Sequence, residues 1–329
     1  MPLTRRVPAL ALTTALIALL SAAPPSAHAE DGGVAWTVQT ADNGNGAGRA
    51  NFSYDVEPGT VLADTMIVVN TGTEPLPLAV YAADAFTASS GEIDVLVDGT
   101  PSQGAGTWVR VDTGGLQLAP GQSADVPFTV SVPADARPGD HTAGIVTSLT
   151  TTDASSSLSV DRRLGTRINL RVAGELAPAA AVSEVRAEYH PTWNPFAAGT
   201  LTVRYALENT GNTRVTGAET VSTTGTLGLL GTSTPPAQLS EVVPGSTVEI
   251  ARDIPAFSIG WISGSVRVAP EGVGLGAGSV DEVVVDFAVP AVPWSLYALV
   301  VLIAAVTVVL VLVIRRRGAS RRPGDAQAT

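Results

Sequence analysis

The chain has 329 residues, a formal net charge of −11 at pH 7 and no cysteine, and all 19 of its basic residues are arginine. That balance excludes a nucleic-acid binder, which needs a basic footprint. The missing thiols exclude disulfides, a Cys–His nucleophile and thiolate metal sites.

Residues 1–29 read as a secretion signal. Arg5 and Arg6 form a positive start, Ala9–Leu20 is an apolar run, and Ala27-His28-Ala29 is a small-x-small cleavage site before Glu30. An uncleaved anchor is the weaker reading, because the apolar run is short and Pro24-Pro25 breaks it. From Glu30 to Pro293, 12 arginines face 29 acidic residues, a formal balance of −17 that also disfavours adhesion to bare anionic headgroups.

The periodicity of this stretch is that of strands. Val126, Phe128, Val130 and Val132 alternate with Pro127, Thr129 and Ser131; Leu201, Val203, Tyr205 and Leu207 alternate in the same way, as do Val283, Val285, Phe287 and Val289. Period-2 runs place one face on a core and the other in water. Pro58-Gly59, Asn70-Thr71-Gly72, Pro120-Gly121, Pro138-Gly139, Asn209-Thr210-Gly211 and Pro244-Gly245 supply turns between them. The pattern predicts an all-β chain of two tandem immunoglobulin-like β-sandwich domains, residues 30–174 and 175–290. A faint repeat links the halves: an apolar strand, an Asn-Thr-Gly turn, then a Pro-Gly turn into an alternating strand. Ala288–Pro293 reads as a short stiff connection.

The 21 residues Trp294–Ile314 carry no charge. At about 1.5 Å per residue they give roughly 31 Å of helix, matching a hydrocarbon core of about 30 Å. Trp294 and Tyr297 mark one interface, and Arg315, Arg316, Arg317, Arg321 and Arg322 follow the other end in a basic tail, residues 315–329. Positive charge stays on the cytoplasmic side. The expectation is a single-pass protein of the cell membrane with its N-terminal ectodomain outside.

Catalytic signals are sparse. After signal cleavage only His141 and His190 remain, one in each domain, which leaves no histidine-rich metal site. A Ser-His-Asp arrangement would use His141 beside Asp140, yet no Gly-x-Ser-x-Gly elbow occurs. Paired carboxylates for glycoside hydrolysis are a weak signal among so many acidic residues. Asp84, Glu92, Asp94 and Asp98 fall close together, but their spacing fits no EF-hand loop and reads first as a solvated acidic edge. No catalytic residue, cofactor or metal is expected. The densest cluster of unusual residues is the segment from Val132 to Val146. It reads either as a plain Pro-Gly turn with Gly144 allowing a close neighbour, or as a ligand-facing loop with Asp140, His141 and Gly144 as contacts. Trp108 opens the Val109/Val111 alternation as a core aromatic. Trp193 sits in a Pro-rich loop, to stack on a sugar, anchor a partner or pack on its own domain.

The string Asn51-Phe52-Ser53-Tyr54, Glu57-Pro58-Gly59, Val69-Asn70-Thr71-Gly72, Tyr81-Ala82-Ala83-Asp84-Ala85-Phe86, Trp108, Leu118-Ala119-Pro120-Gly121, Val132-Pro133, Pro138-Gly139-Asp140-His141 and Gly144-Ile145 resembles the first domain of WxL-interacting proteins. The likeness covers residues 30–175, and the Pro-Gly-Asp-His segment is its most specific part. Tyr189 to Gly211, with Asn194-Pro195-Phe196, looks more loosely like the second sandwich of actinobacterial relatives. The resemblance implies a Gram-positive cell-surface protein whose first domain binds cell-wall peptidoglycan non-covalently. It would be the membrane-anchored companion of a wall-attached WxL protein. The alternative is a scaffold or adhesion protein that pairs with another cell-surface protein or a host ligand without binding wall, through exposed sheet edges.

Overall fold

The computed structural model describes residues 33–152, 159–274 and 280–319. The expected signal at 1–29 and Arg321 and Arg322 of the tail lie outside the described residues. In chain order the first half forms β1 (Trp36–Thr40), β2 (Phe52–Val56), β3 (Val61–Asn70), β4 (Leu76–Thr87) and β5 (Ile93–Val95). A 3₁₀ turn over Ala105–Trp108 leads to β6 (Val109–Val111), β7 (Gly115–Leu118), β8 (Ser123–Ser131), β9 (Gly139–Thr152) and β10 (Ser159–Val172). The second half forms β11 (Ala180–His190), β12 (Gly199–Asn209), β13 (Val215–Gly225), β14 (Thr232–Ser233), β15 (Ala237–Val242), β16 (Thr247–Ala256), β17 (Gly260–Gly272) and β18 (Val283–Ala291). Helix α1 (Trp294–Ala319) follows.

The alternating apolar residues dictate how these strands stack. In the first sandwich a sheet of order β1-β3-β8-β6 faces one of order β2-β10-β9-β4-β5, with β7 also on β4. Phe52, Met66, Val126, Phe128, Val130, Ile145, Ile168 and Leu170 are buried between them, and the Phe52 and Phe128 rings meet edge to face at 4.8 Å. All pairings are antiparallel except β2 on β10. In the second sandwich β11-β12-β16 packs on β14-β13-β17-β18, with β15 on β13. Leu201, Val203, Tyr205 and Leu207 all point into its core, as the alternation predicts. The two cores share no residue. The chain is therefore all-β: two immunoglobulin-type sandwiches and one C-terminal apolar helix.

The internal repeat has a physical basis. Asn70 is 1% exposed; its Nδ2 donates to the Glu74 and Leu118 carbonyl oxygens, and its Oδ1 accepts the Gly72 amide. Asn209 is 0% exposed and makes the equivalent set, donating to Thr213 and Val242 carbonyls and accepting from Gly211 N–H. The turn glycine then closes the pattern in each copy: Gly121 N–H donates to Asn70 O and Gly245 N–H to Asn209 O. One asparagine thus fastens the same corner of each sandwich by satisfying buried backbone groups from two neighbouring segments.

Two expectations change. The 138–144 segment is not a loop: the chain turns at Ala134–Asp135, where the Ala136 amide meets the Pro133 carbonyl, and β9 opens at Gly139, so Asp140, His141 and Gly144 are strand residues. The expected stiff connection shortens to Val292 and Pro293, because Ala288–Ala291 pair with β17. Helix α1 is long and apolar enough to cross a membrane. It is tied to the second sandwich by Ser295 Oγ donating to Thr192 O (2.7 Å) and Tyr297 OH donating to Ile259 O (2.8 Å).

Candidate functional site

The start of β9 lies where the two sandwiches meet, and Asp140 is the centre of that junction. Its side chain is 2% exposed. Arg171 Nε and Nη2, from the neighbouring β10, each donate to the carboxylate at 2.8 Å. From the second domain, the Arg214 backbone amide donates at 2.7 Å and its guanidinium lies at 3.4 Å. Arg214 also reaches Glu241 (3.0 Å), which pairs with Arg167 of the first domain at 3.2 Å. The result is a chain of alternating charges, Arg171–Asp140–Arg214–Glu241–Arg167, stitched across the domain boundary. Burial alone would push the Asp140 carboxyl up. Hydrogen bonds from Arg171 and the Arg214 amide, with both positive charges, outweigh it and hold the group below the ordinary carboxylate range.

Neutral contacts reinforce this junction. Asn212 Nδ2 donates to the carbonyls of Pro138 and Glu175, and Asn212 O accepts the Asp140 amide at 2.7 Å. Gly139 has φ +121°, and a Cβ there would stand 2.1 Å from Asn212 O, so only glycine lets the second domain approach this closely. Thr87, 3% exposed, receives a bond from Val243 N–H at 3.0 Å and donates to Glu241 O at 3.2 Å.

The four residues singled out from sequence therefore separate. Asp140 holds the domains together, with both carboxylate oxygens occupied from within the protein. Gly144 is a packing residue: a Cβ there would meet Val95 Cγ2 of β5 at 2.5 Å, so its lack of a side chain is what lets β5 cover β9. Trp193, 94% exposed, lies at the far end of the second domain, away from the junction. Of the four, only His141 remains as a candidate contact. Its ring packs on Trp108 with centroids 4.6 Å apart, and its Nε2 donates to the Arg137 carbonyl at 2.8 Å, which leaves Nδ1 free of that bond. Trp108 is thus half-buried at the rim of the core rather than enclosed in it.

Beside this pair opens a cleft of about 580 Å³, lined by His141, Thr142, Arg137, Pro138, Gly104 and Asn212 among others. Thr142 is 8% exposed, and its hydroxyl has no hydrogen-bond partner. Arg137 has no carboxylate partner among the described residues. Asp84 also borders the cleft, but its carboxylate is filled by the amides of Gln103, Gly104 and Gly106 at 2.6–2.8 Å. It caps the turn that carries Trp108 and has no spare oxygen for calcium. Among the described residues, no group of three or more His, Asp or Glu is placed to hold a metal ion.

Two further charged clusters went unread in the sequence, and both are internal. Asp64, with a fully buried side chain, receives Arg49 Nη1 (2.8 Å), Tyr54 OH (2.5 Å), Asn43 Nδ2 and Asn45 Nδ2, fastening the 41–50 segment to β3. Burial would raise its carboxyl, but the Arg49, Tyr54 and Asn43 hydrogen bonds hold it well below the usual range. Glu219 is bonded to Tyr205 OH and Arg252 Nε inside the second sandwich. Nothing local in the sequence marks these partners, which come from separate strands and from the 41–50 segment.

No protein-family model matches the sequence, and no curated protein matches it. Solved structures similar to it include a chain of the CFA/I fimbrial chaperone–tip adhesin complex, with 11% identity, 78% of this chain and 100% of that chain covered, and a TM-score of 0.35. The class 5 fimbrial chaperone CfaA gives 11% identity, 78% and 100% coverage, and a TM-score of 0.33. A chain of the CsuC–CsuE pre-assembly complex of Acinetobacter baumannii Csu pili gives 12% identity, 77% and 97% coverage, and 0.35. These superpositions are too loose to assign a shared activity, and the sandwich architecture stands on this chain's own strand pairing.

Proposed function

We propose that this chain is a membrane-anchored surface protein of a Gram-positive bacterium that binds cell-wall peptidoglycan non-covalently through the cleft beside His141. The observation that carries the reading is the cleft itself. It is of a size ordinary for small-ligand sites. It combines an unpartnered buried hydroxyl (Thr142), an unpaired guanidinium (Arg137) and an imidazole backed by an indole. A hydroxyl and ring faces suit sugar and acetamido groups, and a guanidinium suits the carboxylates of wall peptides. The Pro-Gly-Asp-His resemblance to WxL-interacting proteins falls on this same segment. On this reading α1 spans the cell membrane with the sandwiches outside, and multiple weak contacts gain effective concentration from the tether.

A second reading has an observation of its own. Strand β16, Thr247–Ala256, is the outer edge of a three-stranded sheet; the Glu249 amide is taken by the Ser89 carbonyl, and the residues beyond it offer a template for strand addition by a partner surface protein. Retention of the full chain on protein-free sacculi, with no release of soluble glycan, supports wall binding. Failure to sediment, together with a co-purifying surface protein, supports the edge-strand reading instead.

A further inference from the structure

The longer strands of the second sandwich, β11, β12, β13, β16 and β17, run from one end of the domain to the other, so the two ends can be compared. The end at the domain junction carries Arg214, Glu241 and the contacts to Asp140. The opposite end is formed by three reversals: β11 to β12, the segment after β13, and β16 to β17. Register and hydrogen bonds gather them around the start of α1. Ser295 Oγ reaches Thr192 O in the first loop, Tyr297 OH reaches Ile259 O in the third, and Gly225 at the end of β13 pairs with Ile262 of β17.

The loops of that end carry no formal charge, and the nearest carboxylates, Glu188 and Asp253, stand beside Thr202 further along β11 and β16. Residues 191–203, 220–240, 254–266 and 287–314 contain no Asp, Glu, Lys or Arg, in a chain that elsewhere carries many acidic residues. Its apolar side chains are turned outward. Trp193 and Phe196 in the first loop are 94% and 76% exposed, and Leu227 in the second is 90% exposed. Phe257 and Trp261, flanking the third reversal, are about half exposed. Leu227 and Leu230 hold φ of +61° and +59°, a left-handed conformation unfavourable for leucine. A soluble domain end gains nothing from strained backbone that presents leucine to water.

We infer that these loops form an apolar collar that inserts into the lipid interface around the point where α1 enters the bilayer. Aromatic and leucine side chains on an uncharged surface favour the headgroup–acyl boundary. Their occupant is fixed by continuity: the helix that enters the membrane starts within hydrogen-bond reach of two of the three loops. The inference rests on the reading of α1 as membrane-spanning. It makes the second sandwich a seated pedestal rather than a tethered bead. With 11 residues in β12 at about 3.3 Å each, the pedestal stands about 36 Å tall. The polar junction above it then holds the His141 cleft at a set height and orientation over the membrane.

Because the chain has no cysteine, single-cysteine variants report without background. Full-length Leu227→Cys, Phe196→Cys, Val306→Cys and Glu57→Cys proteins, each nitroxide-labelled, would be reconstituted into phosphatidylcholine–phosphatidylglycerol (3:1) vesicles. Immersion is then read from relative accessibility to oxygen and to a water-soluble nickel chelate. The collar predicts a deep label at 306, shallow but lipid-immersed labels at 227 and 196, and a fully aqueous label at 57. A deep label at 306 with aqueous labels at 227 and 196 overturns the collar and leaves the spanning helix intact. An aqueous label at 306 overturns both.

Discussion

Removing the Asp140 carboxylate is the perturbation that most directly probes how the two sandwiches are joined. Asp140→Ala deletes three charge-assisted hydrogen bonds at 2.7–2.8 Å. It leaves the Arg171 and Arg214 guanidiniums, only 15% and 13% exposed, without their shared anion. Breaking a buried pair from one side costs about 3–5 kcal/mol, because the remaining charge stays desolvated. Here Arg214 keeps Glu241 and Arg171 keeps the Val273 carbonyl, which places the cost at about 3 kcal/mol. With a urea slope of about 3 kcal/mol/M, that is a midpoint shift of about 1 M. Tryptophan fluorescence of the full chain in detergent provides the assay, since Trp36 lies in the first core and Trp261 at the end of the second domain. The wild type is expected to unfold in one coupled transition and the variant in two. An Asp140→Ala/Arg171→Ala double variant is expected to lose less than the sum of the single losses, the signature of a direct pair. A midpoint within 0.2 M of wild type (about 0.6 kcal/mol), with a single unchanged transition, would refute the reasoning.

Three other outcomes follow from the same structure. Asn70→Ala and Asn209→Ala should each cost about 1–3 kcal/mol, the penalty for stranding buried carbonyl and amide groups. Similar urea shifts for the two would reflect their matching bond sets, and a negligible shift for either would deny the corner its role. Gly144→Ala should destabilise by about 1–3 kcal/mol through its clash with Val95 and leave wall retention unchanged; lost retention with normal stability would return Gly144 to the binding site. Asp64 and Asp140 both ionise below the ordinary carboxylate range in the folded state. Their extra stability is therefore present above the unfolded carboxyl pKa of about 3.9 and is lost as pH falls through the folded values. Acid titration of stability should fall steeply below about pH 4, and less steeply in Asp64→Asn and Asp140→Asn variants.

Much of this fold is written in local pattern. The Val126–Val132 and Leu201–Leu207 alternations specify a face as well as a strand, and both faces are buried as the period demands. The Asn-Thr-Gly repeat was legible because a turn needs its residues in sequence. The site was less so. Pro138-Gly139-Asp140 carries every local sign of a loop, yet β9 begins there because β10 offers it a full antiparallel partner. Asp140 looked like a ligand contact because its true partners, Arg171 and Arg214, stand 31 and 74 residues away. Strand register brings them together, and no spacing rule reports that. The uncharged collar is dispersed for the same reason over three loops that only the topology gathers. Trp193 was visible as an unusual aromatic, and its place in the fold, beside α1 and far from His141, points its chemistry at lipid.

Because Asp140 joins the domains, a test of wall binding must leave it intact and alter the cleft lining alone. The most direct measurement is co-sedimentation of the full-length protein with protein-free peptidoglycan sacculi across a salt series, beside Arg137→Ala and His141→Ala variants. Arg137→Ala removes an exposed side chain and His141→Ala a partly buried one, and urea midpoints are recorded in parallel. Saturable sedimentation of the wild type, weakened roughly tenfold or more in both variants at unchanged stability, is the predicted result. A tenfold loss corresponds to about 1.4 kcal/mol, the scale of one charge-assisted or stacking contact. Sedimentation that both variants retain in full, or none by the wild type at low salt, would contradict the account.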